Sequence, residues 1–224
     1  MNFFEYPHPD LVGMAAHALM NDCKQIPKLL AVGQFRNFVN SMNKDRYLDI
    51  LGVGDDDISG DVDKEMRLAM NLLSFMAHAY LWGGDKPTPV LPYVIAMPWH
   101  AVAKKIGRPP IQSYVSYAID NWYRIDKSKD ITLDNIALIQ NFLGGVDEEW
   151  FTMIHVVMEA QAGGALAGAY YACEAAKEED WETVEKCLFK VASSLGEVYN
   201  TFCRMEEKCD PYIYYNRVRP YIFG

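Results

Sequence analysis

The sequence has 224 residues, a formal net charge of −9, 50% apolar residues and 13% aromatics, which excludes disordered, collagen-like and low-complexity classes and leaves ample length for a buried core. Acidic charge is spread along the chain and no run of Lys or Arg exceeds two residues, so nothing gathers phosphates and nucleic acid is not an expected partner. The five cysteines, Cys23, Cys173, Cys187, Cys203 and Cys209, are odd in number without a CxxC pair, and the start MNFFEYPHPD has neither a basic nor an apolar leader region; a reduced, cytoplasmic protein is expected.

Helical periodicity runs from Leu11 to Met20 and returns from Ile26 to Met42, where Leu29, Leu30, Phe35, Phe38 and Val39 recur. The run LGVGDDDISG, Leu51 to Gly60, reads as a loop because glycines and consecutive aspartates break the pattern. The first strong helix follows: Val62, Met66, Ala69, Leu73, Met76 and Tyr80 alternate spacings of four and three until Trp82-Gly83-Gly84 ends the stripe. In DKPTPVLPYVIAMP, four prolines up to Pro98 forbid a regular helix and predict an extended connector. Trp99 to Ile106 predicts a short helix stopped by Gly107. Pro109-Pro110 starts another, carrying Tyr114, Tyr117, Ala118, Asn121 and Trp122, and Thr132 caps a further one ending near Leu143. No internal repeat is visible, so a solenoid is excluded.

Gly144-Gly145 is the expected joint between a small domain, residues 1–143, and the start of a larger one, residues 144–224. From Glu148 to Lys177 the pattern predicts one helix about 45 Å long, at about 1.5 Å per residue. It is apolar on nearly every face apart from His155, Glu159 and Gln161. Those polar groups, clustered near its middle, argue against a membrane span and for a helix buried all round. Gly163, Gly164 and Gly168 mark where another backbone or a flat ligand approaches. The last long helix, Trp181 to Lys208, repeats the four-three rhythm at Val184, Leu188, Val191, Leu195, Val198 and Phe202. Almost nothing reads as strand, and the fold class is all-α.

No metal or nucleotide spacing is convincing: there is no Glu-x-x-His pair of the di-iron kind, no HExxH, Walker loop, GxGxxG or GxSxG, and the five histidines are scattered. His155, one helical turn before Glu159, has two readings. It is either a buried histidine bonded to Glu159 or to a carbonyl, or a pocket histidine that offers a hydrogen bond to a ligand or an oxygen species. Tyr114, Tyr117 and Trp122 suit a core as well as a cofactor box. Arg217 and Arg219, set among Tyr214, Tyr215, Tyr221, Ile222 and Phe223, either meet an anion with a planar fork of donors or lie over apolar neighbours at the surface.

Five segments taken together resemble the indoleamine 2,3-dioxygenase family over residues 70–224: MAHAYLWGG with VLPYVIAMP, KKIGRPPIQSYVSYAIDNW, ITLDNIALIQNF, WFTMIHVVMEAQAG and CDPYIYYNRVRPYIFG. The resemblance implies a small helical domain roofing the distal side of heme b, and a larger helical domain whose long helices hold it. It implies that O2 enters the indole C2–C3 bond of L-tryptophan or a related indoleamine to give N-formylkynurenine, a step of tryptophan catabolism. Position by position, it implies His155 at the distal catalytic place and Tyr114, Tyr117, Ala118 and Phe151 lining the indole pocket. Tyr214 closes that pocket, Arg219 clamps the substrate carboxylate, and Met158, Phe202 and Met205 lie against the porphyrin.

Departures from the family pattern accompany it. The distal residue is His155, as in the related tryptophan dioxygenases, where mammalian members carry a small hydroxyl residue. Tyr117 replaces a smaller residue and Tyr214 a phenylalanine. The family's Gly- and Ser-rich substrate loop and its iron-ligating proximal histidine have no counterpart, so the metal ligand is unassigned. The chain is expected to be the first half, or somewhat more, of such an enzyme, with the missing C-terminal half as its partner. A related heme enzyme with other indole chemistry, or a heme-free helical binding protein on the same scaffold, are the alternatives.

Overall fold

A computed structural model describes residues 14–48, 50 and 60–222. The fold is all-α with one minute sheet. Helices α1 (Met14–Cys23), α2 (Ile26–Ala31) and α3 (Phe35–Asn40) surround α4 (Gly60–Trp82), which also packs on α5 (Tyr93–Ile106). Strands β1 (Trp122–Arg124) and β2 (Ile136–Leu138) pair antiparallel, with Trp122 opposite Leu138. Two long helices, α6 (Val146–Lys177) and α7 (Trp181–Cys203), form an antiparallel hairpin, and residues 204–221 close the chain in short irregular turns. The loop predicted at residues 51–59, and the first residues of the helix predicted from Leu11, lie outside the described residues.

The predicted stripe from Met66 to Tyr80 becomes the spine of the first core; the side chain of Val62 lies outside the described residues. Every residue from 68 to 79 is buried, because α4 is covered on all sides and not on one face alone. Polar members of the helix are satisfied locally. The Ser74 hydroxyl donates to the Met70 carbonyl at 2.6 Å and accepts from Trp99 Nε1 at 3.2 Å. The last carbonyls of α4 have no partners within the helix, and Arg36 supplies them: its guanidinium donates to Tyr80 O and Leu81 O, each at 2.8 Å.

Four local readings change. The helix predicted from Ile26 to Met42 splits into α2 and α3 at Gly33, whose φ of +65° a helix cannot hold. The proline-bearing connector is helical from Tyr93: Pro92 serves as N-cap and Pro98 lies inside α5. Burial of Val94, Ile95, Trp99 and Val102 outweighs the hydrogen bond that Pro98 removes. The helix predicted from Pro109 shrinks to one π turn, Val115–Ile119, before Trp122 enters β1. Asn71 Nδ2 stabilises that wide turn by donating to the carbonyls of Ser116 and Asp120. The helix predicted after Thr132 is instead a turn leading into β2.

The hairpin α6–α7 departs furthest from expectation. Helix α6 is buried on one face at its root, where Glu148, Trp150, Thr152, Met153, Ile154, Val156 and Val157 are covered, but its second half carries exposed Leu166, Tyr170 and Tyr171, so it is not buried all round. The glycine reading is met at two of three positions. A Cβ at Gly164 would stand against Ser194, and one at Gly168 would stand 3.0 Å from the Cys187 carbonyl of α7, while Gly163 faces open space. Among the described residues no helix is long and apolar enough to cross a membrane.

Candidate functional site

A cavity of about 1000 Å³ opens where the root of α6, the end of α7 and residues 204–222 meet. Five of the residues singled out in the sequence line it: Phe151, Phe202, Met205, Tyr214 and Arg219. Phe151 is the hinge of the arrangement, since it packs against both the α4 core and a second core formed by α6, Trp122, Leu133 and Ile136. Its ring stacks on Tyr214 at 3.9 Å between centroids, with 22° between planes.

The C-terminal wall is held by contacts to the root of α6. Trp150 Nε1 donates to the Arg204 carbonyl at 2.8 Å, and the Lys208 ammonium lies 4.3 Å from the Trp150 ring centroid. The Asp210 N–H donates to Asp147 Oδ1 at 2.7 Å, while the Asp210 carboxylate accepts from the N–H groups of Tyr212 and Ile213. These bonds fix the entry to the turn that carries Tyr214 and Arg219. Arg219 stacks its guanidinium over Tyr215 at 5.1 Å and has no ion-pair partner among the described residues. Arg217 lines a different, smaller cavity beside Glu148, so the two arginines do not share a pocket.

His155 stands next to this cavity rather than in its lining. Its Nδ1 must carry the proton, because it bonds the Phe151 carbonyl at 2.8 Å, and a carbonyl only accepts. A neutral ring therefore keeps Nε2 as an acceptor. Phe151 lies at 4.3 Å and Tyr114 edge-on at 5.9 Å. Of the alternatives left by the sequence, Glu159 is not the partner of His155: its carboxylate accepts from the Tyr114 hydroxyl at 3.0 Å, and burial pushes that phenol up, beyond its ordinary range.

Tyr117 and Ala118 are buried and do not line the large cavity. Tyr117 belongs to the first core and stacks on Phe75 and Phe142. Its hydroxyl, buried near those of Thr152 and Tyr214, makes no hydrogen bond of good geometry among the described residues. Met158 packs half-buried against the second core.

Two residues here were given no site role in the sequence reading. Tyr215 shares the cavity wall with Tyr214. Glu148 is 0% exposed and accepts from the N–H groups of Phe142 at 2.7 Å and Leu143 at 2.8 Å. Burial pushes its carboxyl up to about 7, against the opposing pull of the backbone N–H groups of residues 142–144. A carboxylate in the first turn of a helix was visible in the sequence; the loop folding back onto it was not.

An aromatic cavity with a soft thioether and an arginine on its wall defines an all-α protein equipped to hold a flat, partly anionic small molecule. The chain belongs to the indoleamine 2,3-dioxygenase family, whose model matches residues 5–224. It is 34% identical to the indoleamine 2,3-dioxygenase of Saccharomyces cerevisiae over 79% of this chain and 40% of that protein. Indoleamine 2,3-dioxygenase 1 of Mus musculus is 29% identical over 99% of the chain and 53% of its own length. Indoleamine 2,3-dioxygenase acdA of Aspergillus candidus is 32% identical over 71% and 41%. The chain therefore spans about half the length of the relatives it matches, or somewhat less.

The residues on the cavity wall suit one part of a heme site. The Phe202 ring, 51% exposed, and the Met205 thioether give a porphyrin an apolar face to lie against. Among the described residues no histidine lines the cavity, and no group of three or more His, Cys, Asp or Glu side chains is set to hold a metal.

Proposed function

We propose that this chain is the substrate-side portion of a heme-dependent dioxygenase of L-tryptophan or a related indoleamine. The observation that carries the reading is the meeting of Phe151, Tyr214 and Arg219, which has no ion-pair partner among the described residues, at one cavity in a chain of this family. Phe202, Met205 and Met158 would hold the porphyrin face. Bound heme supplies the activation of O2, both of whose atoms enter the indole C2–C3 bond. The protein's own part is positioning. Phe151 and Tyr214 stack the indole, with Tyr114, Tyr117 and Ala118 closing the pocket behind them, and Arg219 meets the substrate carboxylate with a two-pronged, charge-assisted contact. The Nε2 lone pair of His155 is suited to accept the indole N–H. In this reading residues 1–143 form the distal domain and 144–224 begin the heme domain. A ligand for the heme iron would have to come from polypeptide corresponding to the remainder of the relatives' length. The free state of all five cysteines supports a reducing compartment, the cytoplasm.

The test is turnover by the heme-loaded protein at the length of its relatives. N-formylkynurenine from L-tryptophan and O2 is expected, with Arg219→Lys weakening L-tryptophan roughly tenfold and leaving 3-methylindole, which lacks the carboxylate, unchanged. A heme-loaded protein that oxidises no indole would overturn the proposal.

A further inference from the structure

We propose that Tyr114 and Glu159 form a strut that locks His155 in the tautomer with its proton on Nδ1, so that Nε2 is always offered as the acceptor of an indole N–H. The proposal rests on the reading that His155 meets the substrate nitrogen, and it adds two positioning residues to it. His155 and Glu159 are one turn apart on the same face of α6, both half-buried. Tyr114 lies along that face: its ring stands edge-on to the imidazole at 5.9 Å, and its hydroxyl donates to Glu159 Oε1 at 3.0 Å. Burial and then the Glu159 carboxylate push the phenol up, so it remains a donor. The other end of Tyr114 is fixed through its backbone, since it is the N-cap of the π turn Val115–Ile119 that Asn71 holds from α4.

The imidazole needs that support. The Phe151 carbonyl it bonds already accepts the backbone N–H of His155 as part of α6, so the ring competes for an occupied acceptor. Phe151 packs on the imidazole at 4.3 Å, and Tyr114 is the second ring set against it. Without the bond to Glu159, Tyr114, 45% exposed, is free to swing toward water, and the imidazole can leave the carbonyl. A solvated neutral imidazole side chain favours the proton on Nε2, which turns the acceptor into a donor. An indole N–H then meets another N–H. The Tyr114 hydroxyl cannot stand in for His155 as a donor to a ligand, because its proton is given to Glu159.

The experiment follows the ring nitrogens of His155 by proton–nitrogen correlation spectra of the 224-residue chain, with His155→Gln assigning the signals. It is run at about pH 8.5, where imidazole is neutral. In the wild type Nδ1 is expected to be pyrrole-like and Nε2 pyridine-like. Tyr114→Phe, which keeps the ring, and Glu159→Leu are each expected to raise the reverse tautomer roughly fivefold. Glu159→Gln, whose amide oxygen still accepts from the phenol, is expected to keep the wild-type pattern. A pattern unchanged in both Tyr114→Phe and Glu159→Leu, or lost in Glu159→Gln as well, overturns the strut. In the heme-loaded protein at the length of its relatives, Glu159→Leu is expected to reduce the binding preference for indole over 1-methylindole, which lacks the N–H, roughly three- to tenfold. Turnover with that preference unchanged removes the strut alone. A tautomer that follows the strut in a heme-loaded protein that oxidises no indole keeps the strut and removes the dioxygenase reading.

Discussion

Helices α4 and α7 are both 23 residues long, and both carry apolar side chains in a four-three rhythm, yet they end in opposite environments. Residues 68–79 of α4 are buried without exception, polar Asn71, Ser74 and His78 among them. On α7 only Ser194 and Thr201 are buried, while Leu188, Leu195 and Phe202 of the predicted stripe are more than half exposed. The seam between α6 and α7 is made of small groups instead: Gly164 against Ser194, and Gly168 against Cys187 and Val191. Small residues let two helix backbones approach, and the large side chains then point away from the contact. An apolar stripe therefore shows that a helix has a face to cover, and says nothing of which neighbour covers it.

The largest effect should separate these two faces. Phe75, 0% exposed, stacks on Phe142 and Tyr117, so Phe75→Ala is expected to cost about 3 to 5 kcal/mol in denaturant unfolding. Phe189→Ala, at a site 70% exposed on α7, should change stability by less than about 0.5 kcal/mol. Comparable losses at both sites would show that the outer face of α7 is packed in solution and would erase the contrast.

Much of this was legible in the sequence, and the limits have physical causes. Long uninterrupted periodicity located α4, α6 and α7 to within a few residues. The region from Pro92 to Leu143 misread because its rules are local and its determinants are not. Pro98 survives inside α5 through burial against α4, and the π turn at Val115–Ile119 depends on an amide side chain 45 residues earlier in the chain. The site shows the same division. Phe151, Phe202, Met205, Tyr214 and Arg219 line one cavity, while Tyr117 and Ala118 are buried outside its lining. Tyr114 and Glu159 stood in quoted segments, but only the fold joins them, 45 residues apart in the chain.

A second test asks whether the root of α6 belongs with the closed region. Glu148 lies near the phenols of Tyr117, Tyr214 and Tyr221, with Arg217 on the wall of the small cavity beside it. Because burial raises its folded pKa from 4.5 to about 7, the folded state holds the proton more tightly than the unfolded state does. Its contribution is thus most favourable below pH 4.5, is lost as pH rises to about 7 and is constant above; the full change is about 3 kcal/mol. Burial lowers the pKa of His78, which works the other way by destabilising the fold as pH falls below its ordinary value of 6.5. The informative quantity is therefore the difference between the wild type and Glu148→Gln across this range. A difference that does not vary with pH would mean that water reaches Glu148 and that the root of α6 is as open as its far end.

The smallest effects test the α6–α7 seam itself, and they should differ in sign. A Cβ at Gly163 meets nothing within 4 Å, so Gly163→Ala removes backbone freedom from the unfolded chain without a clash, and a gain of about 0.5 to 1 kcal/mol is expected. At Gly164 the obstacle is the Ser194 hydroxyl, which can rotate away, and the helix-propensity gain should roughly cancel the cost of moving it. Gly168 has no such escape. Its Cβ would stand 3.0 Å from both the Cys187 carbonyl and Val191 Cγ2, so relief requires α7 to shift. Gly168→Ala should lose about 1 kcal/mol net, the strain of overpacking outweighing the propensity gain. Three single substitutions within six residues of one helix, read by denaturant unfolding, thereby report how closely the two backbones approach in solution. Equal gains at all three positions would mean that α6 and α7 stand apart there.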